Sequence, residues 1–203
     1  MSNKSITFKF NSQKSAEAAS KLLQLAGGKL NYMVLVKLLY LADREALIRL
    51  ECPITGDRMA SLPYGPVLGR ILNLIRGGPI DEGDSPWFDA VSPPDGYDVK
   101  LVAHAGDKNL SGAEENILNE IFDKYGRKSW QELSRITHQL PEWVDPNGGS
   151  LPIQREQILL FSGRTLEEIG RLKEELASLE KLDQEIAQYE GQEFESEAAR
   201  LGV

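Results

Sequence analysis

The residues able to titrate near neutrality or to attack as nucleophiles are few: one cysteine, Cys52, and two histidines, His104 and His138. A thiol with an imidazole base is the arrangement for nucleophilic acyl chemistry, but it needs the two side by side, and neither histidine is near Cys52 in sequence. A lone cysteine followed by Pro53 reads as a small buried hydrophobe. No cysteine–histidine pair and no paired-histidine helix is present, so no metal site is expected. The glycine pairs at 27–28, 77–78 and 148–149 follow neither the phosphate-loop nor the dinucleotide spacing and fall at turns. Serine-nucleophile and kinase spacings are missing as well. The expectation is a protein that is not an enzyme and carries no cofactor. His104 closes an expected strand. His138, in Thr-His-Gln-Leu-Pro-Glu-Trp, ends a helix, where a partly positive imidazole suits the last carbonyls. Trp87, Trp130 and Trp143 are too scattered to suggest a base-stacking platform and read mainly as core anchors. Trp143 follows a proline-containing turn and is the best placed of the three to edge a surface groove.

Charge points the same way. The chain holds 31 acidic and 23 basic residues, a net charge of −8. Residues 165–203 alone hold 11 acidic and 4 basic, leaving a nearly neutral 20 and 19 for the rest. Duplex binding needs a basic face that releases counterions, and a neutral body with an acidic arm lacks one. Arg70 and Arg76 on an expected helix at 67–76 are too few for a recognition helix. An acidic arm fits a basic protein partner, or serves only to keep a helix in solution. One cysteine suits a reducing compartment. Residues 1–12 lack the apolar segment of a secretory signal, and no apolar run approaches the roughly 20 residues of a membrane helix. A cytoplasmic protein, with no membrane partner and no nucleic acid, is the expectation.

The elements that must position these residues are mainly helical. Residues 14–26 form a helix with Ala18, Ala19, Leu22, Leu23 and Leu25 on its apolar side, ended by Gly27-Gly28. Asn31 caps a helix over 32–50 whose Val34, Leu35, Leu38, Leu39, Leu41, Ala42 and Leu47 make it too apolar for the surface. Residues 51–63 read as a loop with one extended stretch at 58–62, and Tyr64-Gly65-Pro66 as a turn into the helix at 67–76. Trp87–Val91 and Tyr97–Ala103, around Pro-Pro-Asp-Gly, suggest a small β-hairpin. Three capping boxes, Ser111 with Glu114, Ser129 with Glu132 and Thr165 with Glu168, open helices to about 125, to about 139 and to the C-terminal end.

That last helix carries Leu166, Ile169, Leu172, Leu176, Leu179, Leu182, Ile186 and Tyr189 in steps of three or four, one apolar stripe on a charged rod. The stripe must be covered by the body, by a second copy or by a partner. Leu172, Leu176, Leu179, Leu182, Ile186 and Tyr189, flanked by Glu174 and Glu175, with Trp143 on the body, are the candidate partner-binding residues. The fold class is mainly α: a compact multi-helix domain with a small β-hairpin over 1–163, then a long amphipathic acidic helix with a frayed tail over 164–203.

Four ordered segments resemble the Panacea family, the SocA-like antitoxin domain. They are Lys37-Leu38-Leu39-Tyr40-Leu41-Ala42-Asp43-Arg44-Glu45-Ala46-Leu47, then Pro53-Ile54-Thr55-Gly56-Asp57, then Leu62-Pro63-Tyr64-Gly65-Pro66-Val67, and last Leu133-Ser134-Arg135-Ile136-Thr137-His138 followed by Pro141-Glu142-Trp143. The resemblance covers about residues 15–160 and rests most on Lys37, Tyr40, Asp43, Tyr64, Gly65, Pro66, His138, Pro141 and Trp143. It implies a largely helical domain serving as the antitoxin half of bacterial and phage toxin–antitoxin pairs. The partner so implied is a cognate protein toxin, expected to present a basic face. Some members are similar to adaptors that deliver a toxin to a protease. The C-terminal helix lies beyond the resemblance; it is the candidate for choosing the toxin, or for pairing two copies into a homodimer.

Overall fold

In a computed structural model the described residues are 5–78 and 82–201, with side chains described for 5–78 and 83–189. The fold is organised around α2 (Tyr32–Leu50), which is buried without interruption from Val34 to Asp43. Asn31 caps it as the sequence predicts, its side chain accepting from the Met33 amide at 2.9 Å. A helix buried on all sides needs neighbours on all sides. These are α1 (Ser12–Leu25), α5 (Gly112–Tyr125), α6 (Trp130–Thr137), α7 (Arg155–Phe161) and strand β3 (Gly65–Leu68).

The three capping boxes all form. In each, the hydroxyl accepts from the backbone N–H of the glutamate three residues on, and that glutamate accepts from the first residue's N–H. They open α5, α6 and α8 (Leu166–Leu201).

The extended stretch expected at 58–62 forms as β2 (Met59–Leu62), but the other strands fall elsewhere than expected. Trp87–Ala90 is not a strand but part of helix α4 (Ser85–Ala90), opened by Pro86 in its first turn, a position where the missing N–H costs nothing. Buried Trp87 packs α4 against α1. Residues 98–100 are extended, but β4 (Asp98–Lys100) pairs antiparallel with β1 (Lys29–Asn31), not with 87–91, where only Val91 bridges to Leu101. The hairpin lies instead at the Tyr64-Gly65-Pro66 turn. There β2 (Met59–Leu62) pairs with β3 through the two-residue connection Pro63-Tyr64, and β5 (Leu151–Pro152) adds on the far side of β2. The helix that follows is therefore shorter, α3 (Gly69–Ile75). A short apolar run such as Val67-Leu68 suits strand or helix, and only its partner decides.

Two packing expectations also change. Leu25 is exposed, and α1 buries Ser15, Glu17 and Ser20 alongside its alanines and leucines. The C-terminal stripe divides: Ile169 and Leu172 are in the core and Leu176 packs on its edge, whereas Leu166, Leu179, Leu182, Ile186 and Tyr189 are exposed. Fraying was expected over 191–203; the backbone stays helical to Leu201, and the side chains of 190–203 lie outside the described residues.

Candidate functional site

The motif residues converge on the β2–β3 hairpin. An exposed hairpin tip leaves carbonyls without partners, and here four of them are taken by side chains. The Trp143 indole N–H donates to the Leu62 carbonyl (3.2 Å) and the Ser134 hydroxyl to Tyr64 (3.0 Å). His138 Nε2 bonds the Pro63 carbonyl (3.1 Å), and the Lys37 ammonium donates to Pro66 (2.7 Å). His138 also packs on Trp143 with ring centroids 4.1 Å apart. Gly65 lies where these elements meet, at φ +94°. A Cβ there would sit 2.6 Å from Thr137 Oγ1 and 2.9 Å from Lys37 Nζ. Lys37 is fully buried, and loss of water alone lowers its ammonium to about 7.

A second cluster fastens the loop between α2 and β2. Buried Asp43 accepts from both the backbone N–H (2.9 Å) and the hydroxyl of Thr55. Burial raises Asp43 to about 7 against the opposing pull of those bonds. Asp57 works as a cap at a distance: its carboxylate accepts from Arg70 and Ile71 N–H at 3.1 and 2.9 Å, serving the start of α3, whose own Leu68 cap residue has no side-chain oxygen to offer. Arg155, from α7, closes the cluster by donating to the carbonyls of Ile6, Gly56 and Asp57 (3.2, 3.1 and 2.6 Å) with its guanidinium over Phe8.

The third cluster is ionic. Glu142 is buried and accepts from the Tyr40 hydroxyl (2.9 Å) and from Arg44 Nε and Nη2 (2.6 and 3.3 Å). Burial opposes the Arg44 charge, but the Glu142 carboxylate outweighs it and the guanidinium is held above its ordinary range. Pro141, beside it, is exposed.

Thus Lys37, Tyr40, Asp43, Gly65, Pro66, His138 and Trp143 hold a platform together. Tyr64 and Pro141 are the motif residues left at the surface. Arg44, Thr55, Asp57 and Glu142 stand inside the motif segments without being singled out by them; a carboxylate between a proline and a tryptophan is their one local signal. Arg155 has no local signal at all.

The remaining candidates are dispersed. Cys52 is exposed rather than buried; partial burial of its thiol raises its pKa. His104 lies exposed in a loop past the strand it was expected to end, Nδ1 accepting from Gly106 N–H. Among the described residues no group of three or more histidine, cysteine, aspartate or glutamate side chains could hold a metal ion, and no helix is long and apolar enough to cross a membrane.

The partner-binding candidates separate in the same fashion. Leu172 is buried, Leu176 is half-buried at the edge of the core, and Trp143 is half-buried at the hairpin. Leu179, Leu182, Ile186 and Tyr189 form an open apolar face, 47 to 71% exposed. Glu174, Glu175 and Asp183 flank it, all exposed. Lys173 ties the base of the helix to the body through Glu156 (2.9 Å).

A family model described as antitoxin SocA-like, Panacea domain, matches residues 35–144, which run from the start of α2 through the Glu142 and Trp143 contacts. No curated protein and no solved structure matches the chain. The match spans more than half of the 203 residues and contains the hairpin platform, and the chain belongs to the SocA-like antitoxin, Panacea domain family.

Proposed function

We propose that this protein is an antitoxin that neutralises a cognate protein toxin by direct binding, using the projecting part of α8 as the toxin-selective surface. The observation that carries this reading is the open Leu179, Leu182, Ile186 and Tyr189 face on an acidic helix, beyond the family-matched region. Four neighbouring apolar side chains left in water along one side of a helix are unfavourable unless something covers them. Nearby Glu174, Glu175, Glu180, Asp183 and Glu185 favour a basic occupant. They would speed its approach, while the leucines and isoleucine would set how long it stays.

A homodimer is the second reading, supported by the three–four spacing from Leu179 to Tyr189, which is that of a short coiled-coil seam. The same acids oppose it, since pairing two copies brings like charges together. The reading requires no catalysis of this chain, and Cys52→Ala is expected to neutralise fully.

The test keeps the chain at full length, because removing 165–203 would also take Ile169 and Leu172 out of the core. The triple change Leu179→Ser, Leu182→Ser, Ile186→Ser is compared with wild type for binding to the product of an adjacent reading frame that is toxic alone. A loss of at least about 30-fold is expected. Unchanged binding by the folded variant overturns the reading, and light scattering that shows a dimer dissociated by the same changes supports the second one.

A further inference from the structure

A different kind of surface lies at the first turn of α2. Tyr32, Tyr64, Tyr97 and Trp130, from four distant segments, surround a cleft of about 460 Å³. Tyr64 meets Trp130 edge to face with centroids 5.8 Å apart, and Tyr32 lies nearly parallel to Tyr97 at 6.1 Å. Tyr64 and Tyr97 are 60 and 69% exposed, so their rings are available rather than spent on the core. Exposed Arg76 is in the wall of this cleft. A second cleft shares Asn31 and Trp130 with it and is walled by Arg127 and Lys128. The grooves along α8 and beside Asp84 all have carboxylates in their walls; this pair has none among the described residues. Of the acids near the clefts in sequence or register, Glu132 is occupied by the Ser129 N–H and hydroxyl in its capping box, and Asp98, next to Tyr97, is paired with Lys29 at 2.8 Å. The first turn of α2, whose residues open on the same cleft, also carries no acid.

Aromatic faces beside cations, in a concavity of this size, are complementary to a planar ring that carries negative charge. We infer that the paired clefts bind a free nucleoside phosphate, its base on the tyrosine and tryptophan rings and its phosphates toward Arg76, Arg127 and Lys128. A nucleic-acid strand is disfavoured: three cations on a chain of net charge −8 cannot offset a run of phosphates. This site is separate from the α8 face, and its test does not depend on a toxin.

The test is calorimetric titration of the full-length protein with the four ribonucleoside 5′-diphosphates, the matching nucleosides, inorganic pyrophosphate and a short oligoribonucleotide. At least one diphosphate is expected to bind, with its nucleoside and pyrophosphate each weaker by about tenfold or more. Arg76→Gln and Tyr97→Leu, both surface changes, are expected to weaken it about tenfold with unaltered circular dichroism. Leu182→Ser on α8 is expected to leave it unchanged. Failure of all four diphosphates to bind, pyrophosphate binding as tightly as the best of them, or binding untouched by both cleft variants overturns the inference. Binding of the oligoribonucleotide alone overturns it too, in favour of a strand-binding surface.

Discussion

The platform around the β2–β3 hairpin and the exposed stretch of α8 from Leu179 to Tyr189 are built from the same residue types put to opposite uses. In the platform, Lys37, Asp43, Asp57, Glu142 and Arg155 are all buried, and each is spent on backbone carbonyls, amide groups or a partner charge. In α8 the acids from Glu174 to Glu185 face water, and pairs such as Lys181 with Glu185 (3.7 Å) are exposed i,i+4 contacts worth about 0.3–0.5 kcal/mol. A buried charge must be paired and so locks one geometry; an exposed one constrains little and can exchange its partner for a group on another molecule.

Breaking the platform should have the largest effect. Glu142→Ala leaves Arg44 and Tyr40 facing an empty buried site and is expected to lower unfolding free energy by about 3–5 kcal/mol, read by urea titration. A loss below about 1 kcal/mol would mean that the ionic cluster does not hold the turn after α6. Gly65→Ala comes next. Positive φ and the approach to Thr137 and Lys37 together should cost about 2–3 kcal/mol, against about 1 kcal/mol for alanine at exposed Gly148, which shares a positive φ (+85°) but whose added Cβ meets nothing.

The third prediction uses pH. Lys37 is lowered by burial from 10.5 to about 7, so between those values the unfolded chain holds more protons than the folded one. Its contribution is present above 10.5 and is lost as pH falls through about 7. Asp43 is raised by burial from 3.8 to about 7; its contribution is present below 3.8 and is lost as pH rises through about 7. Stability should therefore have a minimum near neutrality. Lys37→Met should abolish the rise on the alkaline side, measured by urea midpoints at pH values on either side of 7. Retention of that rise in the variant would remove Lys37 as its source.

The smallest stability effect belongs to α8. Leu182→Ser with Ile186→Ser should alter unfolding free energy by no more than about 0.5 kcal/mol while abolishing partner capture. A large loss of stability would show that the stripe is covered by the body in solution, and the contrast between the two regions would collapse.

Much of the helical framework is legible in the sequence, because its signals act within four residues. Asn31, Ser111, Ser129 and Thr165 each satisfy N–H groups of their own first turn, so neighbours in the chain suffice to place them. The strands are not legible in this way. Trp87–Ala90 has the aromatic content of a strand, yet Pro86 and a buried contact with α1 make it a helix. Val67-Leu68 has no preference until Met59 and Ala60 lie beside it. The four motif segments are visible in the chain, but what joins them is not: Arg155 is nearly a hundred positions from the Gly56 and Asp57 carbonyls that it binds.

Sequence alone determined that the chain is mainly helical, that α2 must be central and that negative charge concentrates in the last helix. Those properties follow from local capping, apolar periodicity and charge counts. Only the tertiary structure decided where the apolar stripe of α8 passes from core to open face, between Leu176 and Leu179. It alone also brought Tyr32, Tyr64, Tyr97 and Trp130 to one cleft. The reason is physical in both cases. Periodicity says which side of a helix is apolar, but whether that side is covered depends on how far the neighbouring elements extend, and no stretch of local sequence contains that distance.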